Sequence, residues 1–278
     1  MIREVRVLLV EDDFYARSWM EMLLRRDWRT KVVGEADQVR GLALLLQELR
    51  AGQTRVDLAL IDTDILAAGG RLPEMLEMVA RQLPQARVLL SGVRPNPGVA
   101  QAPGVGQFGG YVLKDEIRYA LAWAVSLVVE GHFVLTPGVR DLFGPGNPLP
   151  AGSLVLDGRN PVANFSKRDA DAARLAFMFS MERRDLADEL EISEEYSYGL
   201  VSSLYEKMGL NDILKGEASP EQYFGSHPAV QAHIRETLES LRGKEPGGMA
   251  HKIKDKETLA FHLLTLPEIE EAGSRLSA

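Results

Sequence analysis

Over roughly its first 140 residues the chain alternates short runs of Val, Leu and Ile with longer amphipathic stretches, a pattern few architectures accept. The apolar runs are Val5–Val10, Lys31–Gly34, Leu58–Ile61, Val88–Leu90 and Tyr111–Leu113. They are too short for helices, and they are near-continuous rather than alternating, as in strands covered on both faces. Helical patterns fill the intervals at 15–26, 38–50, 72–82 and 116–130. In the last of these, Ile117, Leu121, Ala124, Val125 and Val128 fall on one face. Strand–helix units of this length predict an α/β domain with a doubly wound, five-stranded parallel sheet. One expected helix is missing: residues 92–110 hold six Gly and three Pro and read as an irregular loop with at most one helical turn. Within it, Gly104-Val105-Gly106 follows no clear strand and opens no helix, so it reads as loop chemistry and not a nucleotide fingerprint.

The segment LFGPGNPLPA at 142–151 is rich in Pro and Gly and marks a change of domain. After the short apolar run Ser153–Leu156, a helical pattern starts behind Ser166, a suitable N-cap with Asp169 three residues on. It continues to about Met208 with breaks near 179–182 and 191–193. Further helices are expected over 229–242, around 256–264 and from Pro267. The expected organisation is an α/β domain over 1–141, a linker over 142–164, a mainly α domain over 165–210 and an additional C-terminal helical region over 211–278.

Composition narrows the function. With no cysteine there is no disulfide, cysteine zinc site, iron–sulfur cluster or thiol nucleophile, which fits a reducing cytoplasm. No apolar run approaches ~18 residues, so no membrane span is expected. The opening MIREVRVLLVEDD meets acidic residues after a short apolar stretch and reads as a first strand, not a secretory signal. The net charge of −8 is lopsided: residues 1–149 carry 17 basic and 18 acidic side chains, residues 150–278 carry 15 and 22. An acidic C-terminal half is a poor surface for nucleic acid.

In an open parallel sheet, ligands bind at the carboxyl ends of the strands, where the topology switches. The first strand ends in Glu11-Asp12-Asp13, the third in Asp62 followed by Thr63-Asp64, the fourth in Ser91 and the fifth in Lys114. Singly, each could be a solvated loop residue, a helix cap or a surface lysine. Together they bring carboxylates, a hydroxyl and an ammonium to one crevice. Crowded carboxylates suit a hard cation such as Mg²⁺, a carboxylate can accept a phosphoryl group, and phosphoryl transfer asks mainly for positioning and charge neutralisation.

VRVLLVEDD, VDLALIDTDI, ARVLLSG and GGYVLKDE resemble the signature segments of the receiver domain of two-component response regulators, a flavodoxin-like fold. The likeness runs over about residues 4–140, and GHFVLTPGV at 131–139 resembles the receiver–linker junction of the NarL/LuxR type. The resemblance implies Asp62 as phosphoacceptor, Glu11, Asp12 and Asp62 with the backbone carbonyl of Asp64 as Mg²⁺ ligands, Ser91 and Lys114 as phosphoryl-binding residues, and Tyr111 as the aromatic switch. Two departures stand out: Ile65-Leu66 where Met-Pro is common, and the Gly/Pro stretch where the fourth helix should be.

Residues 165–210 resemble the LuxR-type helix-turn-helix in FSKRD, DLADEL, ISEE and LYEKMGL, with one extra residue near Met181. The packing positions Leu186, Leu190, Ile192, Val201 and Leu204 match that framework better than the outward positions Glu195, Tyr198, Gly199, Ser202 and Glu206 match a DNA-reading surface. The segment carries six basic and ten acidic side chains. Its candidate DNA contacts are Tyr198, Ser202, Arg183, Arg184 and Lys207, joined by Lys167 and Arg168 in a small basic patch.

The sequence therefore predicts a cytoplasmic response regulator that is not an enzyme, is phosphorylated by a sensor histidine kinase, and regulates transcription through DNA, with homodimerisation open. One alternative is an atypical regulator whose acidic output domain binds protein. Another is a haloacid-dehalogenase-like phosphatase in which Asp62-Thr63-Asp64 supplies nucleophile and acid; against it, that nucleophile normally ends the first strand. The five histidines lack zinc-ligand spacing and are expected at the surface, and Trp19, Trp28 and Trp123 are expected in packing roles.

Overall fold

The computed structural model describes residues 4–66, 72–100, 108–144, 148–158, 165–242 and 249–272. It divides into two compact units, one of Arg3–Arg159 with Pro267–Ala278, the other of Asn160–Leu266 with Met1–Ile2.

The first unit is built on a sheet whose strands are β1 (Val5–Val10), β2 (Thr30–Ala36), β3 (Leu58–Asp62), β4 (Arg87–Gly92), β5 (Gly110–Leu113), β6 (Val134–Leu135), β7 (Leu154–Asp157) and β8 (Glu268–Glu271). Their order is β2-β1-β3-β4-β5-β6-β7-β8. All neighbours are parallel except β7 and β8. The doubly wound parallel sheet is as expected, but it has eight strands, not five. β7 lies inside the stretch expected to be a linker, and β8 replaces the helix expected from Pro267. The second unit is thus an insertion in sequence between two strands that pair with each other.

The helices of this unit are α1 (Phe14–Arg26), α2 (Val39–Ala51), α3 (Leu72–Gln82), the single turns α4 (Pro97–Ala100) and α5 (Lys114–Ile117), α6 (Leu121–Val129) and α7 (Pro137–Arg140). Residues 101–107, including Gly104-Val105-Gly106, lie outside the described residues. Alternate residues of β1, β3 and β4 point to opposite faces. Leu8, Val10, Ala59, Ile61 and Leu90 join one core with Leu42 and Leu46 of α2 and Met75 and Val79 of α3. The helix expected over 116–130 is broken, because Arg118 has φ 43° and separates α5 from the 3₁₀ turn Arg118–Ala120 and from α6. α6 is buried at every residue from Leu121 to Val128, which explains its apolar composition all round. Trp123 within it is fully buried under the guanidinium of Arg29, itself bidentate on Asp27.

The second unit holds α8 (Lys167–Ala173), a π-turn at Arg174–Met178, α9 (Arg183–Glu189), α10 (Glu194–Lys207), α11 (Leu210–Lys215), α12 (Glu221–Phe224), α13 (Pro228–Arg242) and α14 (Met249–Leu264). A π-turn takes up one more residue than an α-turn, which accommodates the extra residue noted near Met181. Two histidines expected at the surface, His233 and His262, are buried, the second completely. His233 lies on α13 and His262 on α14, among the apolar positions of those helices. Among the described residues, no helix is long and apolar enough to cross a membrane.

Candidate functional site

The polar residues of the first unit converge where β1, β3, β4 and β5 end. Asp62 closes β3 and is the cross-strand neighbour of Ser91 in β4. The amide of Thr63 donates to the Ser91 carbonyl at 2.7 Å, continuing the ladder one residue past the strand. On the other side of β3, the amide of Glu11 donates to the Ala36 carbonyl at 2.9 Å, and Asp13 caps α1 by accepting from the Ala16 amide at 2.7 Å. This turn leaves Glu11 buried and Asp12 exposed.

Lys114, the first residue of α5, reaches back across the crevice. Its Nζ lies 2.8 and 2.7 Å from the two oxygens of Glu11 and 3.1 Å from Asp62 Oδ2. Glu11 and Asp62 are 0 % and 1 % exposed. One carboxylate oxygen from each of Glu11, Asp12 and Asp62 falls within a 4.8 Å cluster that could hold a metal ion. An all-oxygen donor set with part of its rim exposed fits a hard cation that keeps waters. The Asp64 amide donates to Asp62 Oδ1 at 3.1 Å, and the Asp64 carboxylate accepts from the Val93 amide at 3.0 Å, so it is held against the β4–α4 turn. Ser91 Oγ is buried and makes no hydrogen bond.

These surroundings move the titrations. Burial, aided by the charge of Asp62, pushes Glu11 up to about 7 even though Lys114 pulls the other way. Burial raises Asp62 as well, against the Asp64 amide and Lys114. Burial works against the charge on Lys114, but its hydrogen bond to Glu11 and the charge of Asp62 outweigh it and hold the ammonium above its ordinary value. Two carboxylates share one ammonium, and the deficit of positive charge is what a divalent cation or a proton would fill.

Tyr111 is fully buried. Its hydroxyl donates to the Arg94 carbonyl at 2.8 Å and lies 3.5 Å from Thr63 Oγ1. Gly92 makes room for this: a Cβ there would meet Thr63 Oγ1 at 2.6 Å and the tyrosine oxygen at 2.8 Å. Neither Thr63 nor Arg94 was expected from the sequence. Thr63 carried a signal, as the residue directly after Asp62; Arg94 contributes only its backbone and carried none.

In the second unit, Ser193 caps α10 by accepting from the Tyr196 amide at 3.1 Å. Ser197 Oγ is fixed by the carbonyls of Glu194 at 2.7 Å and Arg183 at 3.1 Å, tying α10 to α9. Leu186, Val201 and Leu204 are buried between the helices. Glu195, Tyr198, Gly199, Ser202 and Glu206 form the exposed face of α10, with Asp185, Asp188 and Glu189 exposed on α9. Of the basic candidates, Arg184 is exposed and Arg183 half-buried. Lys207 lies on both carboxylate oxygens of Asp169 at 2.7 Å. Asp169 in turn completes a capping box with Ser166, and the hydrogen bonds from Lys207 and Ser166 lower it to about 2. The cap was legible in the sequence; the lysine that neutralises it, 38 residues away, was not.

With this geometry in place, the chain can be set beside known proteins. No family model and no curated protein matches it. Solved structures do: the response regulator ChrA of a haem-sensing two-component system is 20 % identical over 84 % of this chain and 98 % of its own, with a TM-score of 0.39. A LuxR-family response regulator from Aurantimonas sp. SI85-9A1 is 22 % identical over 50 % and 94 %, with a TM-score of 0.43. The signal receiver domain of NarL from Mycobacterium tuberculosis is 30 % identical over 46 % and 98 %, with a TM-score of 0.38. This chain resembles response regulators of the LuxR/NarL type.

Proposed function

We propose that the chain is a two-component response regulator in which a sensor histidine kinase transfers a phosphoryl group to Asp62. One observation carries the reading: a buried aspartate at a strand end, faced by the Lys114 ammonium at 3.1 Å and by the unsatisfied hydroxyl of its cross-strand neighbour Ser91. An Asp62 carboxylate oxygen attacks the phosphorus of a phosphohistidine. The P–N bond breaks, the imidazole nitrogen keeps the electron pair and takes a proton from water, and an acyl phosphate forms. Ser91 Oγ donates to one phosphoryl oxygen and Lys114 Nζ pairs with another, where charge-assisted hydrogen bonds are strong. Glu11, Asp12, Asp62 and the Asp64 carbonyl would hold Mg²⁺, whose contribution is to neutralise charge on the phosphoryl oxygens. Tyr111 reads the state of the site through its link to Thr63, which adjoins Asp62.

The output is the α9–α10 pair, with Arg183, Arg184, Lys207, Tyr198 and Ser202 as the set available to DNA in transcription control, used from the cytoplasm and as a homodimer that doubles a sparse basic patch. The acidic outward face of α10 and the commitment of Lys207 to Asp169 favour one second reading, in which this unit binds protein.

The test is incubation of the full chain with acetyl phosphate and Mg²⁺. A single hydroxylamine-labile phosphoryl adduct is expected on the wild type and none on Asp62→Asn. An unmodified wild type, an undiminished adduct in the variant, or steady turnover of a phosphomonoester would overturn the reading.

A further inference from the structure

The turn that carries Lys114 and the strand residue before it are gripped by the segments that follow β6 and β7. On one side the Leu113 amide donates to Thr136 Oγ1 at 3.0 Å. On the other, the Glu116 carboxylate accepts from the Gly138 amide at 2.9 and 3.2 Å, and the Glu116 carbonyl accepts from the Gly158 amide at 2.9 Å. The contact at Gly158 is closer than any side chain allows: a Cβ there would stand 2.2 Å from the Ile117 carbonyl oxygen. α5 is also a separate four-residue block, because the backbone of Arg118 detaches it from α6. A block so short, tied through Glu116 to Gly138 and Gly158, shifts as a unit when its first residue is drawn elsewhere.

Gly158 follows β7 directly, and β7 ends at Asp157, whose register partner is Glu268, the first residue of β8. β7 therefore ends and β8 begins side by side, next to the spot that Glu116 holds, and these two crossings are where the second unit is inserted in the sequence. We propose that Glu116 and Gly158 are positioning residues that relay the state of Lys114 to this pair of crossings, so that phosphorylation regulates the output by loosening β7 and β8 at their shared end. The inference rests on the phosphoacceptor reading of Asp62. Phosphorylation replaces the Asp62 carboxylate with a group of greater negative charge, Lys114 gives up part of its pairing with Glu11 to follow it, and the main chain of α5 follows the lysine. The Gly158 amide then loses its acceptor.

The experiment is hydrogen exchange by mass spectrometry on the full chain with Mg²⁺, with and without acetyl phosphate, the adduct being quantified in the same samples. In the wild type, peptides covering 154–158 and 268–271 should exchange about threefold or more faster once the adduct has formed, as local opening predicts. Gly158→Ala should form the adduct to the same extent but exchange fast in both states, with no further response. Glu116→Ala, which removes the carboxylate grip on Gly138 and leaves the backbone approach at Gly158 in place, should also form the adduct and blunt the response. Adduct formation with unchanged exchange at 154–158, or an undiminished response in both variants, overturns the relay while leaving the phosphoacceptor standing. Failure of the wild type to form any adduct removes both.

Discussion

In each unit a lysine lies against carboxylate oxygens at about the same distance, Lys114 in the first and Lys207 in the second, and the two arrangements do opposite things. Lys114 lies between Glu11 and Asp62 with 16 % of its side chain exposed, outnumbered by two buried acids. Lys207 lies on one aspartate with 38 % exposed, and the pair is balanced, capped and complete. The first arrangement has unspent charge and an idle hydroxyl beside it, so it is poised to bind something. The second has its charge already balanced. Proximity of opposite charges is common in proteins; what separates a site from a strut is whether the charges and hydrogen bonds are already satisfied.

The contrast can be broken most directly at the lysines. Lys114→Met should cost about 3 kcal/mol in urea unfolding without divalent cations, because it leaves two buried carboxylates facing each other. A loss below about 1 kcal/mol would mean that the crevice is far wetter than its burial implies. All three tryptophans, Trp19, Trp28 and Trp123, lie in the first unit, so their fluorescence reports that unit alone.

The same optical signal tests the pH behaviour. Glu11 is raised from 4.5 to about 7 in the fold, so between those values the folded state binds more protons than the unfolded one. Stability of the first unit, without metal, should therefore fall as pH rises from about 4.5 to 7. Asp169 works in the other sense: it is lowered to about 2, so its contribution is full above its unfolded value and is lost as pH falls toward 2. A first unit more stable at pH 7.5 than at pH 5 in the presence of a chelator would contradict the account of Glu11.

A smaller effect is expected at the outward face of α10. Converting Glu195 and Glu206 to Lys should raise affinity for duplex DNA roughly tenfold at low salt and steepen its salt dependence by about two counterions. Wild-type binding should be weak and strongly salt-sensitive; nanomolar binding of a defined operator at ~150 mM salt by the full chain would show that the acidic face is not the surface that meets DNA. Smallest of all, Lys207→Met should cost about 0.5–1 kcal/mol, as a half-exposed pair does, with no change in adduct formation. If it instead abolished DNA binding, Lys207 would be a contact despite its hold on Asp169.

How much of this was legible depends on what each residue type announces. Buried parallel strands are continuous apolar runs with a polar residue where the chain leaves the sheet, so β1, β3, β4 and β5 stand out together with Glu11, Asp62, Ser91 and Lys114. β6 and β8 announce nothing. β6 has only two residues, and β8 reads Glu-Ile-Glu-Glu, a composition with better helix than strand propensity. Its place is the edge of the sheet, where charge guards against pairing with another chain, and its partner strand β7 lies far earlier in the sequence, in the register that joins Asp157 to Glu268 and Leu154 to Glu271. The break at Arg118 is hidden for a different reason: a left-handed arginine leaves no mark on a helical pattern that resumes three residues later. His262 shows the limit of composition, since a polar type was expected outside and tertiary packing placed it inside.

The insertion between β7 and β8 also bears on how the chain is born. A ribosome adding ~5–20 residues per second needs roughly 5–20 s to make the stretch between these two strands. For that interval β7 is an open edge, with its apolar residues Leu154, Val155 and Leu156 lacking the cover they finally receive. Such an edge can pair with a neighbouring nascent chain as readily as with its own late strand. The inserted unit must therefore fold quickly and on its own, drawing its two ends together before a stranger arrives. Its locally connected helices suit that demand, because contacts close in sequence form fastest.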